Sequence, residues 1–220
     1  MIKVFGRRSS INVQKVLWAL AETGVAFERH TVGGTFGGTD TREFRKLNPN
    51  GLVPAIKDGS IAMFESNAIV RYLARRYGKD SIRPRGHKAW ALADQWMDWA
   101  ITTPYVPLSQ IFWNKVRQPP EQYDDKAVKA AGKAIAAHLK LANRMLGRKS
   151  WLAGRHFSCG DIPLGAMYWR YQNLDIDRPR LNNLDRWYAQ LQERSAYREW
   201  VMVPFGRNPA EWNEYERKLK

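Results

Sequence analysis

Residues 48–79 read NPNGLVPAIKDGSIAMFESNAIVRYLARRYGK, and this stretch decides the fold. Leu52–Ile56 has the aliphatic content of a strand, yet it holds Pro54. Proline has no N–H for a ladder, which confines such a strand to an edge or a bulge. Asp58-Gly59 predicts a turn, and Ser60–Met63 the second strand of a hairpin. Beyond it, Ile69, Val70, Leu73, Ala74 and Tyr77 recur at helical spacing. Ser66 opens that helix and Glu65 stands immediately before it.

Upstream, Ile2 and Val4 alternate with Lys3 and predict a short strand. Val13, Val16, Leu17, Leu20 and Ala21 form an apolar helical stripe. Gly24 fits the left-handed position that ends a helix. A second strand is expected over Phe27–Val32, then a flexible GGTFGG loop and a short helix over Thr41–Leu47. The order βαβ, α, ββα calls for a parallel pair with a right-handed crossover, extended by an antiparallel hairpin. Downstream, GKDSIRPRG at 78–86 reads as a linker. The remaining patterns are long and helical and carry nine of the ten tryptophans. Two domains are expected: 1–79 mixed α/β and 87–220 all-helical.

Composition narrows the function classes. The chain has 220 residues, enough for cores in both parts. No segment approaches the roughly 20 apolar residues of a membrane span, and the N-terminus has no apolar run before Arg7 and Arg8. A single cysteine, Cys159, forms neither an internal disulfide nor a cysteine-rich metal site, and fits a reducing, cytoplasmic setting. His30, His87, His138 and His156 are scattered without metal-ligand spacing. Net charge is +15. Residues 1–80 hold 13 Lys/Arg against 7 Asp/Glu, and the rest 23 against 14. Because both parts are basic and no arginine-rich tail stands out, a solvated surface is favoured over a nucleic-acid site. The charge still attracts anionic ligands.

These segments together resemble the glutathione transferase superfamily. RRSSINVQKVLWAL resembles its first-helix start, NPNGLVPAI its cis-proline segment, and FESNAIVRYLARRY its γ-glutamyl-binding helix. FSCGDIPLG resembles its capping motif in the helical domain. The resemblance covers essentially the whole chain. It implies a thioredoxin-like domain followed by a helical domain, glutathione as co-substrate, no metal, and a homodimer. It also implies that glutathione pairs with the Val53 backbone beside a cis Pro54. The γ-glutamyl group would meet Ser66 and Glu65, where helix-end amides and the helix dipole favour a carboxylate.

Within that resemblance the active hydroxyl falls at Ser10 rather than Ser9. Ser10 and Asn12, at a helix N-terminus, would stabilise the thiolate of glutathione, whose free pKa lies near ~8.5. A cap role for the serines is the alternative. No cysteine occupies the position, which argues against the thiol-exchange branches. Arg7 and Arg8 precede the site and read as solvated surface, with a contribution to the site's positive potential as the alternative. In one respect the chain departs from several classes of the family. Leu52 stands where they carry a basic residue for the glycine carboxylate, leaving Lys46, Arg42 or the GGTFGG loop as substitutes. Ser158 and Asp161 fit a capping box, with Cys159 a buried bystander. Tyr105, Trp113 and Trp169 are expected to line a pocket for a small apolar electrophile. Transfer of glutathione to that electrophile, or peroxide reduction, is the expected reaction. The alternative is a non-catalytic protein of the same fold that binds glutathione or apolar ligands.

Overall fold

The computed structural model describes residues 1–79 and 81–219. Asp80 of the expected linker and Lys220 of the expected helical domain lie outside the described residues. Four strands form one sheet: β1 (Ile2–Phe5), β2 (Phe27–His30), β3 (Ala55–Asp58) and β4 (Ile61–Phe64), in the order β2-β1-β3-β4. β1 and β2 are parallel, joined through α1 (Ile11–Thr23). β3 runs antiparallel to β1 with Val4 opposite Ile56, and β4 antiparallel to β3. The short helix α2 (Arg42–Leu47) is capped by Thr41, whose hydroxyl accepts the Phe44 N–H at 3.2 Å. The helix α3 (Ser66–Arg76) follows β4.

Local chemistry moves some expected boundaries. The strand expected at Leu52 begins at Ala55, immediately after Pro54, because proline gives β1 no ladder donor. β2 stops at His30 rather than Val32, since its partner β1 ends at Phe5, opposite His30. The hairpin loop is Gly59-Ser60, with Gly59 at φ +58°, where glycine carries no Cβ penalty. Gly24 ends α1 at φ 68°, as its position in the sequence predicts.

The rest is helical: α4 (His87–Thr102), α5 (Tyr105–Phe112), α6 (Asp125–Met145), α7 (Ile162–Asn173), α8 (Asn182–Gln192), α9 (Ser195–Trp200) and α10 (Pro209–Lys218). α5 runs on into a π-helical turn over Trp113–Arg117. A single hydrophobic cluster joins the α/β part to the helical part, and α1 is its hinge. One face of α1 meets α3, and the other meets α7 and α9. The expected apolar stripe is buried at Val13, Val16, Leu17 and Leu20, and burial extends beyond it: Ile11 and Val13–Leu20 are all buried, Gln14 and Lys15 included. A helix covered on all sides is buried all round.

Trp18 fills that joint. It is fully buried, stacked with Phe157 at 5.6 Å and edge-on to Tyr197 at 4.8 Å. Gly165 of α7 leaves it room, for a Cβ there would stand 2.8 Å from the indole. The Trp18 Nε1–H donates to Glu22 at 2.8 Å, and Arg194 grips the same carboxylate at 2.6 and 2.7 Å. The segment after α3 is also pinned, as Ile82 is buried and its carbonyl accepts the Cys159 N–H at 2.8 Å. Ser158 and Asp161 form the capping box. Asp161 further accepts from the Leu152 N–H and the Trp187 Nε1–H, each at 2.9 Å. Burial pushes the Asp161 carboxyl up to about 6 against these four-sided hydrogen bonds, and pushes the buried Cys159 thiol up to about 12.

Candidate active site

The parallel crossover carries the start of α1 to the end of the sheet beside the segment that precedes β3. Ser10 is the N-cap residue of α1, but its hydroxyl makes no cap bond and no other hydrogen bond among the described residues. Ser9 differs. It is buried, and its Oγ donates to Glu216 at 2.6 Å. Two residues past Ser10, Asn12 has a fixed amide. Its Oδ1 accepts from the Lys15 ammonium at 2.9 Å and from the Ser66 hydroxyl at 3.3 Å. An ammonium can only donate, so the Asn12 Nδ2 is turned away from Lys15, with no protein acceptor among the described residues.

Lys15 is fully buried, and Asn12 Oδ1 is its one hydrogen-bond partner among the described residues. Burial pushes its ammonium down to about 7, with Glu65 opposing the fall and Arg170 adding to it. Its Nζ lies 5.9 Å from the Tyr105 ring centre. Lys15 thus lies beneath the α1 N-terminus, where the helix dipole already favours an anion, and adds its full positive charge only below about pH 7.

Across from Asn12, the Val53–Pro54 peptide is cis, and no protein group pairs with the Val53 N–H or C=O among the described residues. Ser66 is the first residue of α3, so its N–H and the next ones have no intrahelical acceptor. The cap position before it belongs to exposed Glu65 at φ 67°, an unusual conformation for a non-glycine residue. Leu52 is 66% exposed and lines the same cleft with Gly33, Gly34 and Thr39. Arg42 and Lys46 are exposed and do not line it.

The cleft, about 360 Å³, lies between these groups and the helical part. Tyr105, Leu108 and Phe112 come from α5, Trp113 and Arg117 from the π turn, Arg170 from α7 and Trp212 from α10. Trp169 does not reach it; its Nε1–H donates to the Val203 carbonyl at 3.0 Å. Arg7 and Arg8 are not solvated surface. Arg7 pairs with Glu216 at 2.8 Å, while Arg8 donates to the Glu199 carbonyl and stacks 4.8 Å from Trp200. The Glu216 carboxylate also takes the Thr35 N–H and hydroxyl, at 3.2 and 2.6 Å. Burial alone would raise this carboxyl; the Ser9 and Thr35 hydrogen bonds and the Arg7 charge hold it below the usual range.

Residues 1–75 match the family model described as glutathione S-transferase, N-terminal domain. Glutathione S-transferase GstB of Escherichia coli is 38% identical over 206 residues, spanning 93% of this chain and 99% of that protein. The theta class glutathione S-transferase from Xanthomonas axonopodis pv. citri, solved with glutathione bound, is 42% identical. Its TM-score is 0.89, over 93% of this chain and 99% of that one. The chain belongs to the glutathione S-transferase family. Glutathione S-transferase D6 of Drosophila melanogaster is more distant, at 28% identity over 86% of each chain.

Within this glutathione S-transferase fold, the structure brings Ser10, Asn12, Val53, Tyr105 and Trp113 to one cleft, with Ser66 joined to it through Asn12. Sequence reasoning missed Lys15, Arg117, Arg170, Trp212 and Glu216. For Lys15 one signal was available: it stands three residues after Asn12, the spacing at which helical side chains meet. The other four come from elements far apart in the chain and carry no local signature. Among the described residues no helix is long and apolar enough to cross a membrane, and no cluster of His, Cys, Asp and Glu could hold a metal ion.

Proposed function

We propose that this protein is a glutathione transferase of the serine type, in which Ser10 and Asn12 hold the thiolate of bound glutathione for attack on an electrophile. The observation that carries the reading is a pair of unspent donors at one helix N-terminus. The Ser10 hydroxyl has no protein partner, and Lys15 and Ser66 together turn the Asn12 N–H group outward. Hydrogen bonds to the charged form lower a pKa, so both donors favour thiolate over thiol. The cysteinyl backbone would pair with the open Val53 groups as an added strand does. The γ-glutamyl carboxylate would meet the first amides of α3 and take the one Ser66 O–H from Asn12, whose amide Lys15 alone then holds, with Glu65 at its ammonium.

Tyr105 and Trp113 supply an aromatic wall on which the second substrate rests. Once the thiol proton has gone to solvent, sulfur attacks the electrophilic carbon and the leaving group departs with its bonding pair. A homodimer belongs to the same reading, supported by exposed Ile61 and Phe64 on the edge strand β4.

The test is the pH–rate profile of conjugation to an activated aryl halide. Ser10→Ala and Asn12→Ala should each raise the apparent pKa of the bound thiol and lower the rate at neutral pH, by about 10- to 100-fold for the main donor. If both variants keep the wild-type profile, thiolate stabilisation lies elsewhere.

A further inference from the structure

The helical wall of the cleft carries more positive charge than the protein answers. Arg170 is 7% exposed, and its one hydrogen bond is to the Ser9 carbonyl at 2.5 Å. Its guanidinium stacks 4.4 Å from the Phe112 ring centre and lies 5.9 Å from that of Trp212. Arg117 is half-buried, with neither a hydrogen bond nor an ion pair among the described residues. It rests between Trp212 at 4.6 Å and Trp113 at 5.5 Å. Arg7, the third guanidinium lining the cleft, is taken by Glu216. These cations feel one another. After burial itself, Arg7 lowers the affinity of Arg117 for its proton, and both Arg7 and Arg117 lower that of Arg170. Among the described residues Glu216 opposes the charge of Arg117 and Tyr105 that of Arg170, but the Glu216 carboxylate already accepts from Ser9 and Thr35.

Taking a charge out of water without a partner is unfavourable, so a ligand should bring the missing negative charge. A glutathione thiolate at Ser10 and Asn12 supplies one, beside Arg170 behind Ser9. Arg117, at the far side among the tryptophans, is left over. We propose that the second substrate is itself an anion: a small electrophile whose carboxylate, or an equivalent oxyanion, docks on Arg117 and Arg170 while its apolar body lies against Tyr105, Trp113 and Trp212.

This rests on the transferase reading above and gives the arginines a task that a neutral electrophile would not need. A thiolate and a carboxylate repel each other as they approach. Fixed guanidiniums with two parallel donors cancel that repulsion and orient the carboxylate. With an aryl chloride the step balances simply. The sulfur pair forms the C–S bond, and chloride leaves with the C–Cl pair.

The test uses two probes of one shape, 4-chloro-3-nitrobenzoate and 4-chloro-3-nitrobenzamide. Each kcat/KM is divided by the probe's uncatalysed rate with glutathione. The wild type should favour the carboxylate by tenfold or more, and added salt should shrink the ratio. Arg117→Met, which keeps a long side chain against the tryptophans, should bring the ratio towards one, and Arg117→Lys should restore part of it. A ratio near one in the wild type, or an unchanged ratio in Arg117→Met, overturns the proposal. So does a variant that alters only the KM for glutathione, since Arg117 would then serve the tripeptide. Should neither probe turn over, the transferase reading fails on its own. The affinities of the two preformed glutathione conjugates, measured by calorimetry, then decide the anion site: tighter binding of the carboxylate conjugate supports it, and equal affinities overturn it.

Discussion

The two walls of the cleft are built on opposite plans. Apart from Arg7, which Glu216 pairs, the α/β wall offers backbone groups and short uncharged side chains: the Val53 amide, the first turn of α3, Ser10, Asn12 and Ser66. The helical wall offers long side chains, aromatic and cationic: Tyr105, Phe112, Trp113, Arg117, Arg170 and Trp212. The first plan fixes groups by chain geometry, and suits one constant ligand with a peptide backbone. The second fixes them by packing and stacking, and can change with the substrate while the fold stays. The joint between the plans is a few buried charges, above all Glu216, which holds Arg7, Ser9 and Thr35 of the α/β part to α10.

If that joint keeps the walls in register, cutting it should give the largest effect. Glu216→Ala takes the shared buried carboxylate from half-buried Arg7, from buried Ser9 and from Thr35, which should together cost about 3–5 kcal/mol of stability in urea denaturation. A loss under ~1 kcal/mol would mean that apolar packing at Trp18 holds the walls by itself. The pH dependence sharpens the point. The Glu216 carboxyl is held below its ordinary value in the folded state, so the unfolded chain binds the proton first as the solution is acidified. Its contribution is full above the unfolded pKa of about 4.3 and is lost as pH falls through the folded value. The variant should lack that part of the acid slope.

A smaller effect separates the walls by ligand. Ser66→Ala removes a hydroxyl from the α/β wall, and calorimetry should show glutathione binding weakened by about 1–3 kcal/mol. The KM for the electrophile should stay put. An electrophile KM that moved as much as glutathione affinity would erase the distinction between the walls.

The last comparison tests what lies beneath the α/β wall. Lys15 is fully buried and its ammonium is pushed down to about 7, so from there to its unfolded value near 10.4 the unfolded chain holds more protons. Folding stability from this group therefore rises with pH across that window, by at most about 1.4 kcal/mol per pH unit. Lys15→Met should flatten the rise in thermal or urea denaturation run at several pH values. An unchanged slope would place the charge in better-hydrated surroundings.

The same contrast explains what the sequence could reveal. The α/β wall lies in short consecutive motifs, Ser10-x-Asn12, Val53-Pro54 and Glu65-Ser66, each readable because one local rule governs it. A missing proline donor, a helix end and a turn glycine are properties of a few adjacent residues. Even there the rules left edges open. Pro54 proved to precede its strand, and Glu65 rather than Ser66 takes the cap position. The helical wall draws on α5, the π turn, α7 and α10, and converges only through tertiary packing. Tyr105 and Trp113 were chosen from a stripe of aromatics that equally suited a core, and Trp169, chosen with them, instead donates to Val203. Nothing near Arg170 in the sequence shows that Phe112 and Trp212 will cover it.

The bond from Ser9 to Glu216 spans 207 residues, which has a consequence in time. On a ribosome working at 5–20 residues per second, Glu216 is made roughly 10–40 s after Ser9. Through that interval Arg7, Ser9 and Thr35 are without the carboxylate that pairs them in the finished protein. During every round of synthesis the two walls of the cleft therefore come into being one after the other, and the bonds that tie them are among the last to form.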